Sequence, residues 1–168
     1  MSAIIRSEMP SDIAAIQALT EAAFLNTPHT SHTEQFIVDA LRHAGALSIS
    51  LVAEEGGTVV GHVAVSPVSI SDGSRGYFGL GPISVRPERQ GQGIGSLLMQ
   101  SALRLLRERG AAGCVLLGYP GFYHRFGFKP EAELILPGAR AENFQVVSFG
   151  LTVPRGVVTY HEAFKARD

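Results

Sequence analysis

The chain has 168 residues, and its 14 lysine and arginine residues against 15 aspartate and glutamate residues give a formal net charge of -1. This balance excludes the strongly basic surface of a typical nucleic-acid-binding protein, and no apolar run approaches the about 20 residues that a membrane span needs. The N-terminus also lacks the basic and long apolar regions of a signal peptide. We therefore expect one domain over residues 1–168, soluble and cytoplasmic, with neither a nucleic-acid nor a membrane partner.

The first part of the chain predicts a short strand followed by two helices. Residues 3–8 have the pattern of a strand. Ser11 is expected to be the N-cap of a helix, because apolar residues recur after it at helical spacing. After a loop, residues 31–45 carry a second apolar stripe, which Gly45 ends.

The pattern then changes to that of a three-stranded meander. Residues 48–55 and 58–70 are predicted strands joined by a tight turn at Gly56 and Gly57, and residues 77–85 are the third strand. Glu54 and Glu55, at the end of the first of these strands, are expected to be solvated. Gly79, Gly81 and Pro82 interrupt the third strand, and such residues favour a bulge or the close approach of another backbone.

The second half of the chain predicts a strand–helix–strand unit and a tail of strands. Residues 93–109 have a helical stripe that Gly110 ends, and the apolar run "AGCVLLGY" that follows is typical of a strand buried on both faces. Such a unit is expected to be parallel and right-handed. A short helix over residues 120–126 and further strands near residues 143–151 and 156–162 complete the chain.

Three glycines, Gly91, Gly93 and Gly95, precede and open the third helix. A helix N-terminus has unpaired N–H groups and a partial positive charge, and glycines let an anion approach the backbone closely. The turn therefore predicts a phosphate or pyrophosphate site. It is neither a Walker A loop, since Ser96-Leu97 follows Gly95 where a lysine is needed, nor a dinucleotide fingerprint, since the sixth residue from Gly91 is Ser96.

The segment "ISVRPERQGQGIGSLLM" contains Gln90-x-x-Gly93-x-Gly95 and resembles the Q/R-x-x-G-x-G/A signature of the GNAT acyltransferase superfamily. The segments "LGPISV", "FYHRFGF", "ENFQVVSF" and "GVVTYHEAF" are similar to those of its bacterial YhbS-like branch, so that the resemblance covers nearly the whole chain. It implies a mixed α/β GNAT fold. In that fold a mostly antiparallel sheet of six to seven strands, with a splayed parallel pair of the fourth and fifth strands, is flanked by about four helices.

This resemblance implies an N-acetyltransferase that moves the acetyl group of acetyl-CoA directly to a primary amine in a ternary complex. The cysteine count of one and the absence of a fourth ligand near His29, His32 and Glu34 argue against a metal. The acceptor is expected to be a small molecule or peptide, and a homodimer is possible. By the resemblance, the coenzyme would be bound by Ile83, Ser84, Val85, Arg89, Gln90, Gly91, Gln92, Gly93, Ile94, Gly95 and Ser96.

Two residues are candidates for acid–base chemistry. Tyr123 lies where the family commonly has a tyrosine facing the thioester sulfur, and its phenol could donate a proton to the departing thiolate; Tyr119 is the alternative. His62 could accept a proton from the amine, although a buried histidine satisfied by its neighbours is the plain alternative. Since no carboxylate lies between Asp72 and Glu88, a catalytically weak sensor of CoA or acyl-CoA also remains open. Cys114, in an apolar strand, is interpreted as a core residue and not as a nucleophile.

Overall fold

The structure is a computed structural model that describes residues 2–27, 30 and 32–168, and over these it has eight strands and four helices. The strands are β1 (Ile4–Ser7), β2 (Ile49–Glu55), β3 (Thr58–Ile70), β4 (Tyr77–Val85), β5 (Gly113–Leu117), β6 (Leu134–Ile135), β7 (Phe144–Ser148) and β8 (Gly156–Tyr160). The helices are α1 (Ile13–Phe24), α2 (Glu34–His43), α3 (Ile94–Glu108) and α4 (Pro120–Tyr123).

The strands form one mixed sheet in the order β1-β2-β3-β4-β5-β7, and β8 pairs with both β3 and β6. Neighbouring strands are antiparallel in the β1–β2, β2–β3 and β5–β7 pairs, whereas β4 and β5 are parallel through Tyr77–Gly79 and Gly113–Val115. The predicted fold class, including the parallel pair of the fourth and fifth strands, is confirmed. The sequence did not reveal β6, because two residues are too few to display a strand period.

The chain divides into two compact units, of which the first comprises Met1–Ser66, Gly81–Ala102 and Glu162–Asp168. On one face of its sheet, Ile16 and Leu19 of α1 and Val38 of α2 pack with Val52 and Ala64 of β2 and β3. On the other face Gly61 lies against α3, where a Cβ at residue 61 would come within 3.0 Å of the side chains of Ile94 and Leu98. Within this unit, α3 therefore covers the sheet face opposite to α1 and α2.

The second unit comprises Pro67–Leu80 and Leu103–His161. Its core gathers buried side chains from β3, β4, β5, β6, β7 and β8, which are Ile70, Tyr77, Val115, Leu134, Phe144, Val146 and Val158. The Tyr77 hydroxyl lies 2.7 Å from the Ser148 hydroxyl, so this aromatic side chain is buried with its polar end satisfied.

The start of α1 differs from the prediction. Ser11 lies inside a 3-10 turn over Pro10–Asp12 and makes no cap, so the expected N-cap is wrong. The Asp12 carboxylate instead accepts the Met9 N–H at 2.7 Å and binds the Arg6 guanidinium. Across the described part of the chain, no helix has both the length and the apolar character to cross a membrane.

Candidate active site

The turn between β4 and α3 has the backbone that its glycines predict. A 3-10 turn over Pro87–Arg89 is closed by the Gln90 N–H, which donates to the Pro87 carbonyl at 3.4 Å. Gly91 and Gly93 have φ of 76° and 88°, the left-handed region that side chains other than glycine rarely enter. The Gly93 carbonyl accepts the first helical hydrogen bond, from the Leu97 N–H at 3.1 Å.

This turn presents a run of open N–H groups. Among the residues that the structure describes, the backbone N–H groups of Gly91 through Ser96 have no acceptor. A Cβ built on Gly91 or Gly93 would meet no heavy atom within 4 Å, so both glycines border open space. Since the partial positive charge of the α3 N-terminus adds to these donors, the turn can hold an anion. The Gln90 N–H, by contrast, already donates to the Pro87 carbonyl, although the resemblance to the GNAT family places Gln90 among the residues that would bind the coenzyme.

The end of β4 offers backbone groups on its side away from β3. The Arg86 N–H donates to the Val60 carbonyl of β3 at 2.9 Å, and backbone directions alternate along an antiparallel strand. Ile83 and Val85 therefore direct their N–H and C=O groups away from β3. The Val85 carbonyl is engaged by the Gln90 side-chain amide at 3.1 Å, a bond that ties the turn to the strand.

The β4 backbone is irregular at Gly81 and Pro82, the residues for which the sequence predicts a bulge. Gly81 has a φ of 144°, which favours glycine, and the following Pro82 has no N–H to donate to a ladder. The last residue pair that the structure shows between β4 and β5 is Gly79 with Val115. Beyond this pair β4 continues to Val85, and the irregularity at Gly81 and Pro82 lies within that continuation.

Arg89 is held by an acid at the end of a distant strand. Its guanidinium forms an ion pair with Glu55, at the end of β2, and the Glu55 side chain is only 13% exposed. The neighbouring Glu54 binds Arg6. The expectation of two solvated glutamates is therefore wrong. Because Arg89 and Glu55 are far apart in sequence, no local pattern could have revealed the pair.

His62 lies on β3 and is fully buried. Its Nε2 is 2.8 Å from the Ser50 hydroxyl of β2, whereas its Nδ1 has no hydrogen-bond partner among the described residues. Burial lowers the pKa of the imidazole to about 4, so the ring is neutral at physiological pH. In this structure His62 has no surface through which it could touch an acceptor directly.

Tyr123 ends α4, and its ring occupies space that only a glycine leaves free. A Cβ on Gly118 would come within 2.3 Å of this ring. Phe122 packs against it edge-on, with ring centroids 4.9 Å apart. Burial raises the pKa of the Tyr123 phenol, which keeps the proton on it at neutral pH. Tyr119, the alternative donor, is 70% exposed.

Cys114 is a buried thiol and does not form part of a metal-binding cluster among the described residues. The Cys114 thiol is fully buried, and burial raises its pKa, so it lacks the thiolate character of a nucleophile. Within residues 2–27, 30 and 32–168, no group of three histidine, cysteine or acidic side chains could hold a metal ion. His29, which the sequence placed near His32 and Glu34, lies outside the described residues.

Comparison with known proteins connects this geometry to a family. Residues 5–130 match the model of an acetyltransferase (GNAT) domain. The chain is 37% identical to the uncharacterized N-acetyltransferase YhbS of Escherichia coli strain K12, over 96% of this chain and 98% of that protein.

Two solved structures are similar over almost their full length. One is a GNAT family acetyltransferase from Brucella melitensis in complex with acetyl-CoA, with a TM-score of 0.87, 50% identity and coverage of 96% of this chain and 97% of that one. The other is YhbS from Escherichia coli in complex with CoA, with a TM-score of 0.89, 36% identity and coverage of 98% and 93%.

Proposed function

Because the chain belongs to the GNAT acetyltransferase family, we propose that it transfers the acetyl group of acetyl-CoA directly to a primary amine within a ternary complex. The observation that carries this proposal is the run of backbone N–H groups from Gly91 to Ser96, which have no acceptor among the described residues and in which Gly91 and Gly93 border open space. Such a run suits the pyrophosphate of the coenzyme, and the bound coenzymes of the two similar structures support it.

The turn and the end of β4 would share the work of binding. Gly91, Gln92, Gly93, Ile94, Gly95 and Ser96 would donate backbone N–H groups to the pyrophosphate. The outward backbone groups of Ile83 and Val85 would pair with the pantetheine arm, and Ser84 lies between them. Gln90 would hold the turn against the strand through its bond to the Val85 carbonyl. Arg89 would reach a coenzyme phosphate only by leaving or sharing its ion pair with Glu55.

The acetyl thioester supplies the reactive acyl group, and the protein has to supply protons and orientation. Tyr123 is our proposed proton donor to the departing thiolate, because the resemblance places a tyrosine there and burial raises the pKa of its phenol. His62 is our proposed proton acceptor, acting through water because its ring is fully buried. Transfer without an acyl-enzyme agrees with the buried, protonated Cys114 thiol.

The function can be tested by following thiol release from acetyl-CoA over a panel of primary amines. We expect turnover with at least one amine, and a fall of about 10²–10⁴-fold in kcat for Tyr123→Phe with unchanged CoA affinity, since the change removes one proton donor. Tyr119→Phe is the matched control and should keep the rate. A loss of rate in Tyr119→Phe alone would move the donor to Tyr119.

The same assay separates the enzyme from a CoA sensor. Tight CoA binding without thiol release for any amine of a broad panel would reject catalysis and favour the sensor. Initial-rate lines that intersect when both substrates are varied are expected for a ternary complex. Parallel lines, with exchange of acetyl groups in the absence of amine, would instead indicate an acyl-enzyme and contradict direct transfer.

A further inference from the structure

A chain of hydrogen bonds leads from α2 to the buried ring of His62. Arg42 donates from Nε to Oε2 of Glu8 at 2.8 Å and from Nη2 to Oε1 at 2.9 Å. The Ser50 hydroxyl donates to the same carboxylate and lies 2.8 Å from Nε2 of His62. All four residues belong to the first compact unit.

The direction of these hydrogen bonds determines which ring nitrogen of His62 carries the proton. Burial alone would raise the pKa of the Glu8 carboxyl, but the bonds from Arg42 and Ser50 and the charge of Arg42 together lower it, so Glu8 is ionised. An ionised carboxylate can only accept, and Ser50 has a single proton, which it donates to Glu8. The Ser50 oxygen must therefore accept the proton of Nε2 of His62. Since a neutral imidazole carries one ring proton, Nδ1 is bare.

The bare Nδ1 lies on the same sheet face as the Ser84 hydroxyl. Gly61 and Val85 both face α3, as shown by the contacts of Gly61 with Ile94 and by Val85 Cγ2 lying 3.9 Å from a Cβ built on Gly95. Side chains alternate along a strand, so His62 and Ser84, each one position away, face the opposite side. The bond from Arg86 to Val60 places this end of β4 beside the part of β3 that carries His62, next to the irregularity in β3 between Val59 and Gly61.

Both of these polar groups are unsatisfied. Nδ1 of His62 and Oγ of Ser84 are buried without a hydrogen-bond partner among the residues that the structure describes. Orphaned buried polar atoms of this kind are normally satisfied by an ordered water. A hydroxyl and a bare ring nitrogen on the same face of neighbouring strands offer a bridging water one donor and one acceptor.

We propose that Arg42, Glu8 and Ser50 are positioning residues that fix His62 as its Nε2–H tautomer, so that Nδ1 takes the proton of the acceptor amine through a water shared with Ser84. This inference rests on the proposed N-acetyltransfer. As the amine nitrogen bonds to the acyl carbon, the C–S bond of the thioester breaks and the thiolate leaves with the proton that Tyr123 is proposed to donate. The N–H bond of the amine breaks in the same transfer, and its proton joins the water. A second proton of that water forms the Nδ1–H bond, and the resulting imidazolium is balanced by the Glu8 carboxylate.

The charged groups that act on His62 are compatible with this role. Burial lowers the pKa of His62 to about 4, Glu8 of the β1 end opposes that shift, and Arg42 of α2 adds to it. The ring is therefore neutral and able to accept a proton at neutral pH, although burial makes it a weaker base than an exposed imidazole. Because a general base works best with a pKa near the operating pH, the opposing charge of Glu8 is the contribution that favours proton uptake by the ring.

The tautomer can be measured without any turnover. Long-range proton–nitrogen NMR of the ¹⁵N-labelled protein at pH 7, with the His62 signals identified by their loss in His62→Gln, should show a protonated Nε2 and a bare Nδ1. Ser50→Ala should abolish this preference and Ser50→Thr should restore it. Ser66→Ala, a buried hydroxyl four positions along the same strand face, should leave it unchanged. A protonated Nδ1 in the unsubstituted protein would overturn the proposal.

Kinetics test the catalytic half of the inference with the amine that gives turnover. Ser50→Ala should lower kcat about tenfold or more at unchanged KM for acetyl-CoA, and Ser50→Thr should recover most of the loss. A changed tautomer with an unchanged kcat would overturn the catalytic half. Absence of turnover in the unsubstituted protein would be a failure of the proposed function, and the NMR result would still decide whether Ser50 and Glu8 position the ring.

Discussion

At the scale of single residues, the pKa of His62 connects the buried ring to the stability of the fold. The ordinary pKa of 6.5 applies to the unfolded chain, and burial lowers the folded value to about 4. Between these values the unfolded chain binds the extra proton, so the free energy of unfolding falls as the pH drops from 6.5 towards 4. A shift of this size corresponds to about 3 kcal/mol.

The His62→Gln variant isolates this contribution because glutamine does not titrate. We expect the difference in unfolding free energy between the unsubstituted protein and the variant to shrink by about 3 kcal/mol between pH 7 and pH 4. Urea unfolding at several pH values measures it. A difference that stays constant over this range would show that His62 is not buried as a neutral ring.

At the scale of elements, α3 has a glycine of positive φ at each end, and only one of them belongs to the proposed coenzyme site. Gly93 and Gly110 have φ of 88° and 79°, and a Cβ on either would meet open space. Alanine at each position should therefore cost a similar amount of stability, about 1–2 kcal/mol. Only Gly93→Ala should weaken CoA binding, by several-fold or more, because its methyl group would occupy the space proposed for the pyrophosphate.

Isothermal titration calorimetry of the two folded variants measures the CoA affinity of each. Gly110→Ala serves as the control for backbone strain, since it lies at the C-terminal end of the same helix. Equal CoA affinity in Gly93→Ala and Gly110→Ala would remove the turn between β4 and α3 from the binding site.

At the scale of the whole molecule, a ligand that binds only the folded chain raises its stability. CoA at about 100 times its dissociation constant should add about 2.7 kcal/mol, which corresponds to a rise in Tm of about 5–10 °C for a chain of this size. Thermal unfolding with CoA, ATP or NAD tests whether the site prefers the coenzyme of the acetyltransferase family. A larger shift with ATP or NAD would contradict the proposal.

The sequence predicted those features that depend on neighbours along the chain. The bounds of β3 and β4 agree with the predicted ranges, because strand alternation and the glycines between strands are local signals. The positive φ of Gly91 and Gly93 could be expected for the same reason. The organisation as a single domain over residues 1–168 and the role of Tyr123 stay predictions.

What the sequence determined by itself was the course of most strands and helices and the local form of the turn before α3, since periodicity and turn residues are local signals, while its resemblance to the GNAT family implied the fold. Only the tertiary structure decided which polar groups meet. Glu55 reaches Arg89 across 34 positions, and Glu8 reaches Ser50 across 42. No local pattern encodes such pairs, because the pairing of distant strands and the packing of α2 on the sheet bring them together. The same contacts determine which ring nitrogen of His62 carries the proton in our proposal.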